Sequence, residues 1–259
     1  MVAMYTGTPG SGKSIHAAQD VISWLRRGKG LIANFPVNEK AVGKCKSHAE
    51  YWDNPELTVQ RLVQYAVEHR QLGRESSTLL IVDEAQIKFN CRDLQRKDRQ
   101  DWVNFFSQHR KLGFDVILIT QLDRMIDRQI RGMVETEFKH RKLNNYGAGG
   151  VILSVLTGFS KWFITIEYWY GGNRLKLSQR VFKYRKQYGE ISDSYRLFAD
   201  LAGCAWTDVV SGVPRSGGAL EPAAGQEAAE QAGEEVIADE GGLGSPLPGG
   251  SDDSAVSVA

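Results

Sequence analysis

Gly7-Thr8-Pro9-Gly10-Ser11-Gly12-Lys13-Ser14 is the stretch that decides the fold. It satisfies every fixed position of the phosphate-loop pattern G-x-x-x-x-G-K-S/T. Val2 to Thr6 before it is mostly apolar and β-prone, and Ile15 to Arg27 after it reads as a helix. The loop therefore joins a strand to a helix start, which is the context the motif needs. Gly7, Gly10 and Gly12 carry no Cβ, so the backbone can curl and turn its N–H groups inward around an anion. The positive end of the following helix dipole aims at the same place. Lys13 supplies a point charge for the β- and γ-phosphates, and the Ser14 hydroxyl is placed to ligate Mg²⁺. Thr8, Pro9 and Ser11 complete the nucleotide-binding octapeptide.

Leu79 to Gln86, LLIVDEAQ, is the second signal. A buried apolar strand ending in two acids is the Walker B arrangement. Asp83 at the strand's carboxyl end would hold Mg²⁺. Glu84 would take a proton from the attacking water as general base. Acids often follow buried strands, so the motif is weak alone. Paired with a phosphate loop about 70 residues upstream it is strong. A third element is Val116 to Thr120 followed by Gln121. Related ATPases place there a polar residue that positions water against the γ-phosphate, and Gln121 is the candidate. The competing reading is a polar residue leaving a strand for a loop.

Further strands and helices alternate behind the loop. Helix one runs from about Lys13 to Arg27 and stops at Gly28 or Gly30. Leu31 to Phe35 is a candidate strand, residues 36–58 a loop with a short helix, and Thr58 a cap for a helix to about Arg70. Asp98 to Leu112 reads as a helix. This pattern predicts a phosphate-loop NTPase: a three-layer α/β sandwich around a mostly parallel sheet of the RecA-like type. From Val134 the pattern changes. Glu135 to Leu143, Val151 to Leu156, Trp162 to Tyr170 and Lys176 to Phe182 read as extra strands, extending the sheet edge or forming a small β appendage. Ser192 to Leu201 reads as a closing helix.

The 259 residues carry a formal charge of +1 that conceals an asymmetry. From Pro214 onward nine acids face one base, Arg215, leaving thirty-one bases and twenty-two acids before it. A basic body suits a polyanionic partner but does not require one. The predicted layout is an ATPase domain over 1–200, a linker over 201–213, and a disordered acidic tail over 214–259 that lacks aromatics. Cys45, Cys91 and Cys204 are isolated, which argues against a disulfide framework or a zinc site and for a reducing compartment. No signal peptide is expected. The most apolar stretch, Val151 to Tyr170, is interrupted by Ser154, Thr157, Ser160, Lys161 and Glu167, so no transmembrane segment is expected either. The absence of a guanine-reading N-K-x-D sequence favours ATP over GTP.

Several residues remain open between chemistry and structure. Arg110, Arg124, Arg128 and Arg131 flank the strand before Gln121, and any one could serve a neighbouring subunit's phosphoryl transfer. The sequence does not choose among them, and a solvated surface is the simpler reading of each. His109 reads first as helix packing and second as a nucleotide sensor. The aromatic run Trp162, Phe163, Tyr168, Trp169 and Tyr170 reads as core before it reads as a base-stacking platform. Arg174, Lys176, Arg180, Lys183, Arg185 and Lys186 lie nearby, as a solvated face or a phosphate contact.

Taken together, MVAMYTGTPGSGKSIHAAQDV, LIANFPV, LLIVDEAQIKFNCR, FFSQHRKLGFDVILITQLDRMIDRQIR and VFKYRKQYGEISDSYRLF resemble the zonular occludens toxin family, the filamentous-phage assembly ATPases. The resemblance runs over about residues 1–200. The HRKLGFDVILITQ block and the closing YRKQY segment narrow it beyond the Walker motifs. It implies a motor related to DNA-translocating ATPases that drives extrusion of coated single-stranded phage DNA. It implies nucleotide binding by Gly7 to Ser14, an acidic pair of Asp83 and Glu84, and Gln121 after the sensor strand. It implies a homo-oligomer, in ring form in related motors, with phage assembly or coat proteins and single-stranded DNA as candidate partners. The expected location is the cytoplasm, with the inner face of the bacterial inner membrane reached through a partner. Typical members carry a transmembrane helix after the ATPase domain. Here Leu197 to Val213 contains Asp200 and Asp208 and does not suit a bilayer. The part to which the family's toxin activity was assigned has no visible counterpart, so no toxin is expected.

The leading expectation is a Mg²⁺-dependent ATP hydrolase of phage morphogenesis. The alternatives are a DNA translocase or packaging ATPase not tied to extrusion, and a non-catalytic nucleotide-binding interaction protein.

Overall fold

A computed structural model describes residues 1–93, 95–143, 161–171 and 174–191. The expected strand at Val151 to Leu156, the closing helix at Ser192 to Leu201, the 201–213 linker and the 214–259 tail lie outside the described residues. The elements run β1 (Val2–Thr6), α1 (Lys13–Arg27), β2 (Gly30–Ala33), α2 (Glu39–Val42), β3 (Ala49–Tyr51), α3 (Val59–Glu68), β4 (Thr78–Val82) and α4 (Ala85–Lys88). They continue with α5 (Arg99–Gln108), β5 (Phe114–Ile119), a 3₁₀ turn at Asp123–Met125, α6 (Arg128–Arg131), β6 (Thr136–Lys142), β7 (Trp162–Trp169), β8 (Lys176–Lys183) and α7 (Lys186–Ile191).

The eight strands among the described residues belong to one sheet, in the order β3-β2-β4-β5-β1-β6-β7-β8. The first six are parallel, and β7 and β8 are antiparallel additions. The strand that carries Asp83 is not beside the loop strand, because β5 lies between them. The extra strands extend the sheet edge rather than forming a separate appendage, since β6 pairs directly with β1, Met4 opposite Glu137.

The continuous apolar runs are explained by two covered faces. Ala3, Tyr5, Leu31, Ile81 and Ile117 face α1, where Ala17, Ala18, Val21, Ile22 and Leu25 recur at helical spacing. Met4, Ile32, Leu80, Val82 and Leu118 face the opposite layer, with Leu62 and Ala66 of α3 and Trp102, Phe105 and Phe106 of α5. Each large apolar side chain fully buried in this way contributes about 1.5–3 kcal/mol.

Local signals set the helix ends. The α1 helix spans the expected residues and stops at Gly28 in the left-handed region, φ 74°. The Thr58 hydroxyl accepts the Arg61 N–H at 3.3 Å and starts α3. The α5 helix ends at Gln108, short of the expected Leu112. There His109 Nδ1 meets the Phe106 carbonyl at 2.7 Å, and the chain turns away. Strand β3 was not expected. It has only three residues, and it forms because the open edge of β2 offers it partners. Among the described residues no helix is long and apolar enough to cross a membrane.

Candidate nucleotide-binding site

The parallel strands bring the loop after β1, the acids after β4 and Gln121 after β5 to one edge of the sheet, where ligands sit in open α/β folds. The loop is held from two sides. Its Gly7 N–H donates to the Gln121 carbonyl at 3.2 Å, tying it to the neighbouring strand. Gly7 has φ 145°, and a Cβ there would meet the His140 carbonyl and Ser11 Oγ, each at 2.6 Å. Gly12 has φ 101°, and a Cβ there would run into the Phe163 ring at 2.6 Å. The glycines are thus required by the backbone and also by strands β6 and β7 packed behind the loop.

Gly12 starts α1 with no side-chain cap, and the first turn has no acid. Its N–H groups are left for an outside acceptor, and the helix dipole favours an anion there. Ser11 Oγ is buried with no hydrogen-bond partner among the described residues. Lys13 Nζ folds over the loop, donating to the Gly7 carbonyl at 2.7 Å and the Thr8 carbonyl at 3.2 Å. Burial lowers the Lys13 pKa, while Glu84 and Asp83 pull it back up. Loop lysine and acidic pair therefore lie within electrostatic reach of each other. These donors fit a nucleotide triphosphate. Ser14 and Asp83 would hold the Mg²⁺ together with phosphate oxygens, the hard oxygen set that ion prefers.

Burial pushes the Asp83 carboxyl up to about 6, against the Glu84 N–H that bonds it at 2.9 Å. Glu84 is exposed and left-handed, φ 45° and ψ 46°, a conformation rare for a residue with a side chain. Its carboxylate accepts from the Gln86 amide. Gln121 follows β5, the strand between the loop and the acids. It lines a cleft of about 440 Å³ with Gly7 to Ser11, Leu122, Asp123 and the β6 residues Glu137 and Lys139 to Lys142. Asp83 and Glu84 approach from the β4 side and do not line this cleft.

Behind the loop is a polar cluster whose partners sequence reasoning missed. His16 Nδ1 lies 2.9 Å from His140 Nε2, and His140 Nδ1 lies 3.2 Å from the Thr6 carbonyl. A carbonyl only accepts, so His140 carries its proton on Nδ1 and His16 donates to it. Burial holds both neutral, lowering His16 to about 4 and His140 to about 3. Thr6 Oγ1 donates to buried Glu137 at 2.8 Å. Tyr170 and Arg174 bond Asp123, and Arg174 lies 3.7 Å from Glu137.

The open residues separate. Arg110 bonds Glu135 at 2.6 Å, and His109 lies 3.8 Å from the same carboxylate. Glu135 also faces the amino terminus, 3.9 Å away, so both residues sit at the strand ends opposite the loop. His109 is buried there, and the sensor reading fails on distance. Arg124 and Arg128 are exposed on the loop's own edge. Arg131 is half-buried, 3.5 Å from the Asp123 carbonyl. Phe163 is core and stacks on Phe182, whereas Trp169 is exposed.

Comparison with known proteins gives this geometry a family. The Gene 1 protein of Enterobacteria phage I2-2 is 29% identical over 168 residues, covering 61% of this chain and 45% of that protein. The Gene 1 protein of Salmonella phage IKe gives the same figures, and that of Enterobacteria phage f1 is 26% identical over 164 residues, covering 61% and 47%. The matches span under half the length of these curated relatives. Among solved structures, the N-terminal domain of zonular occludens toxin from Neisseria meningitidis is 17% identical, with 74% of this chain and 97% of that chain covered and a TM-score of 0.46. The genome packaging NTPase of Sulfolobus turreted icosahedral virus 2 is 16% identical, with 70% and 96% covered and a TM-score of 0.44. The family model described as zonular occludens toxin (Zot) matches residues 1–189, which include the phosphate loop, the acidic pair and the three added strands. The chain belongs to the zonular occludens toxin (Zot) family.

Proposed function

We propose that this chain is a Mg²⁺-dependent ATP hydrolase that powers assembly and export of a filamentous phage. The observation that carries the reading is that the phosphate loop after β1 and the acidic pair Asp83 and Glu84 after β4 reach the same edge of one parallel sheet. In this reading Gly7 to Ser14 grip the triphosphate, and Ser14 and Asp83 hold the Mg²⁺. Held there, Mg²⁺ would supply positive charge to offset that of the phosphates. Glu84 takes the proton of the attacking water, and Gln121 orients that water from the strand between. In this reading the exposed Glu84 carboxylate exchanges its Gln86 contact for the attacking water.

The catalytic unit is residues 1–200, followed by a linker over 201–213 and an acidic tail. The working form is a homo-oligomer, in which Arg124 or Arg128 of one copy serves the site of the next. Phage assembly or coat proteins are the partners, and a protein partner brings the chain to the inner face of the bacterial inner membrane. Single-stranded DNA is a candidate cargo, met by exposed Lys176, Arg180 and Lys183 on β8.

Lys13→Ala and Glu84→Gln each abolish ATP turnover, measured as phosphate release by the full chain. Turnover retained in both removes the catalytic reading and leaves a nucleotide-binding interaction protein. A DNA motor also requires single-stranded DNA affinity that falls steeply with salt. Affinity flat with salt leaves a motor that moves protein only.

A further inference from the structure

We propose that Asn34 is a positioning residue for the acidic pair: its side-chain amide fixes the backbone that aims Asp83 and Glu84. This rests on the ATPase reading for its consequence, though not for its geometry.

Strand β2 ends at Ala33, in register with Ile81 of β4. Two residues beyond Asn34 the chain reaches Pro36, which has no N–H, and the residue before a proline is confined to extended conformations. The backbone of β2 therefore leaves the sheet before it can pair with Asp83. On that side the Asp83 N–H and C=O would lose their ladder partners at the position where the acids must be aimed.

Asn34 supplies those partners. Its own N–H still donates to the Ile81 carbonyl at 3.2 Å, as the last rung of the ladder. Its Oδ1 accepts the Asp83 N–H at 2.6 Å, and its Nδ2 donates to the Asp83 carbonyl at 2.9 Å. A carboxamide has the same donor and acceptor as a peptide group, so the side chain extends the parallel ladder by one step. The second Nδ2 proton goes to Asn54 Oδ1 at 3.0 Å. The Asn54 carbonyl accepts Lys88 Nζ at 2.7 Å, and Lys88 ends α4, the helix that begins directly after Glu84. The left-handed Glu84 is thus held between two anchored points, the Asp83 peptide before it and the α4 helix after it. A strained residue persists only where its surroundings over-determine it, and this ring of contacts does so.

The test uses the full chain with Asn34→Ala, Asn34→Asp and Asn54→Ala, each checked for folding by circular dichroism. Asn34→Asp keeps the shape and the acceptor but loses the donor. Affinity for a fluorescent ATP analogue is measured in EDTA and in Mg²⁺, alongside kcat. In EDTA the Asn34 variants bind as the parent does, because Lys13 and the loop are untouched. The tightening given by Mg²⁺ falls by roughly 10–100-fold, as for residues that orient metal ligands, and kcat falls with it. Asn54→Ala shows the same pattern at smaller size. If Asn34→Ala does not fold, Asn34→Asp decides. Unchanged Mg²⁺-linked binding overturns the proposal, and so does a parallel loss in EDTA and Mg²⁺, which marks a merely structural role. A parent chain that binds Mg²⁺–ATP but does not turn it over defeats the ATPase reading and leaves this binding test intact.

Discussion

Strands β3 to β1 and strands β6 to β8 share one sheet, yet they are held in different ways. The first group is parallel and covered by helices on both faces, and its side chains alternate between two apolar layers. The second group has one strand parallel to β1 and two antiparallel, and its outermost strand, β8, is exposed along most of its length. What β6 to β8 bring to the centre is support. Phe163 closes on Gly12, His140 on His16 and Thr6, and Glu137 on Thr6. The loop motif alone binds phosphate only where its backbone is held, and in this chain residues well over 100 positions away do the holding. The added strands thus act as the back wall of the site.

Replacing the wall's main aromatic gives the largest expected effect. Phe163→Ala removes a ring 3% exposed and stacked on Phe182, and lowers stability by about 3–5 kcal/mol in urea unfolding. A loss under about 1 kcal/mol would mean that the wing is peripheral to the fold.

Gly12→Ala comes next, since it strains a φ of 101° and drives a methyl into the Phe163 ring. Backbone strain of this kind costs about 1–3 kcal/mol, and ATP affinity should fall with it in equilibrium titration. The double variant with Phe163→Ala sharpens the comparison. Affinity that recovers in the double variant places the requirement for glycine in the wing, and affinity that does not recover places it in the loop's own backbone.

The histidine pair gives a pH test. Folded His16 and His140 stay neutral down to about 4 and about 3, while an unfolded imidazole charges near 6.5. Between those limits the unfolded chain binds more protons, so this pair makes stability fall as pH drops from 6.5 toward 4. Asp20 works in the opposite sense. Burial raises it from 3.8 to about 6, so the folded chain keeps its proton in that window, and its contribution is lost as pH rises through about 6. His140→Gln should flatten the dependence by up to about 1.4 kcal/mol per pH unit, read from urea midpoints at several pH values. An unaltered slope would mean that the cluster is hydrated and titrates normally.

The smallest effect belongs to the parallel group and is purely local. Thr58→Ala removes the cap on the Arg61 N–H and costs about 1 kcal/mol, with turnover unaffected. A larger loss, or one accompanied by reduced turnover, would blur the line between the two groups.

The two groups also differ in what their residues announce. In the parallel group Lys13 to Arg27, Thr58 and Leu79 to Val82 carry signals read within a few neighbours: a loop motif, a cap, a buried run. Strand β3 carries none, because Ala49-Glu50-Tyr51 pairs only since the β2 edge is open. Asn34 is 49 positions from Asp83, and a lone asparagine after a strand reads as a turn. His109 and Arg110 stand close in sequence to the Gln121 strand, but the direction of β5 carries them to the far end of the sheet.

By itself the sequence determined the strand–loop–helix at Gly7 to Ser14, the acidic strand end at Asp83 and Glu84, and the α/β alternation between them. These depend on short-range backbone preference and side-chain periodicity, which a chain carries wherever it is cut. Only the tertiary structure decided that Lys13 feels both acids, that Asn34 completes the ladder under Asp83, and that Phe163 and His140 back the loop. Those contacts depend on strand order and register, which are set when the whole sheet buries its two faces together.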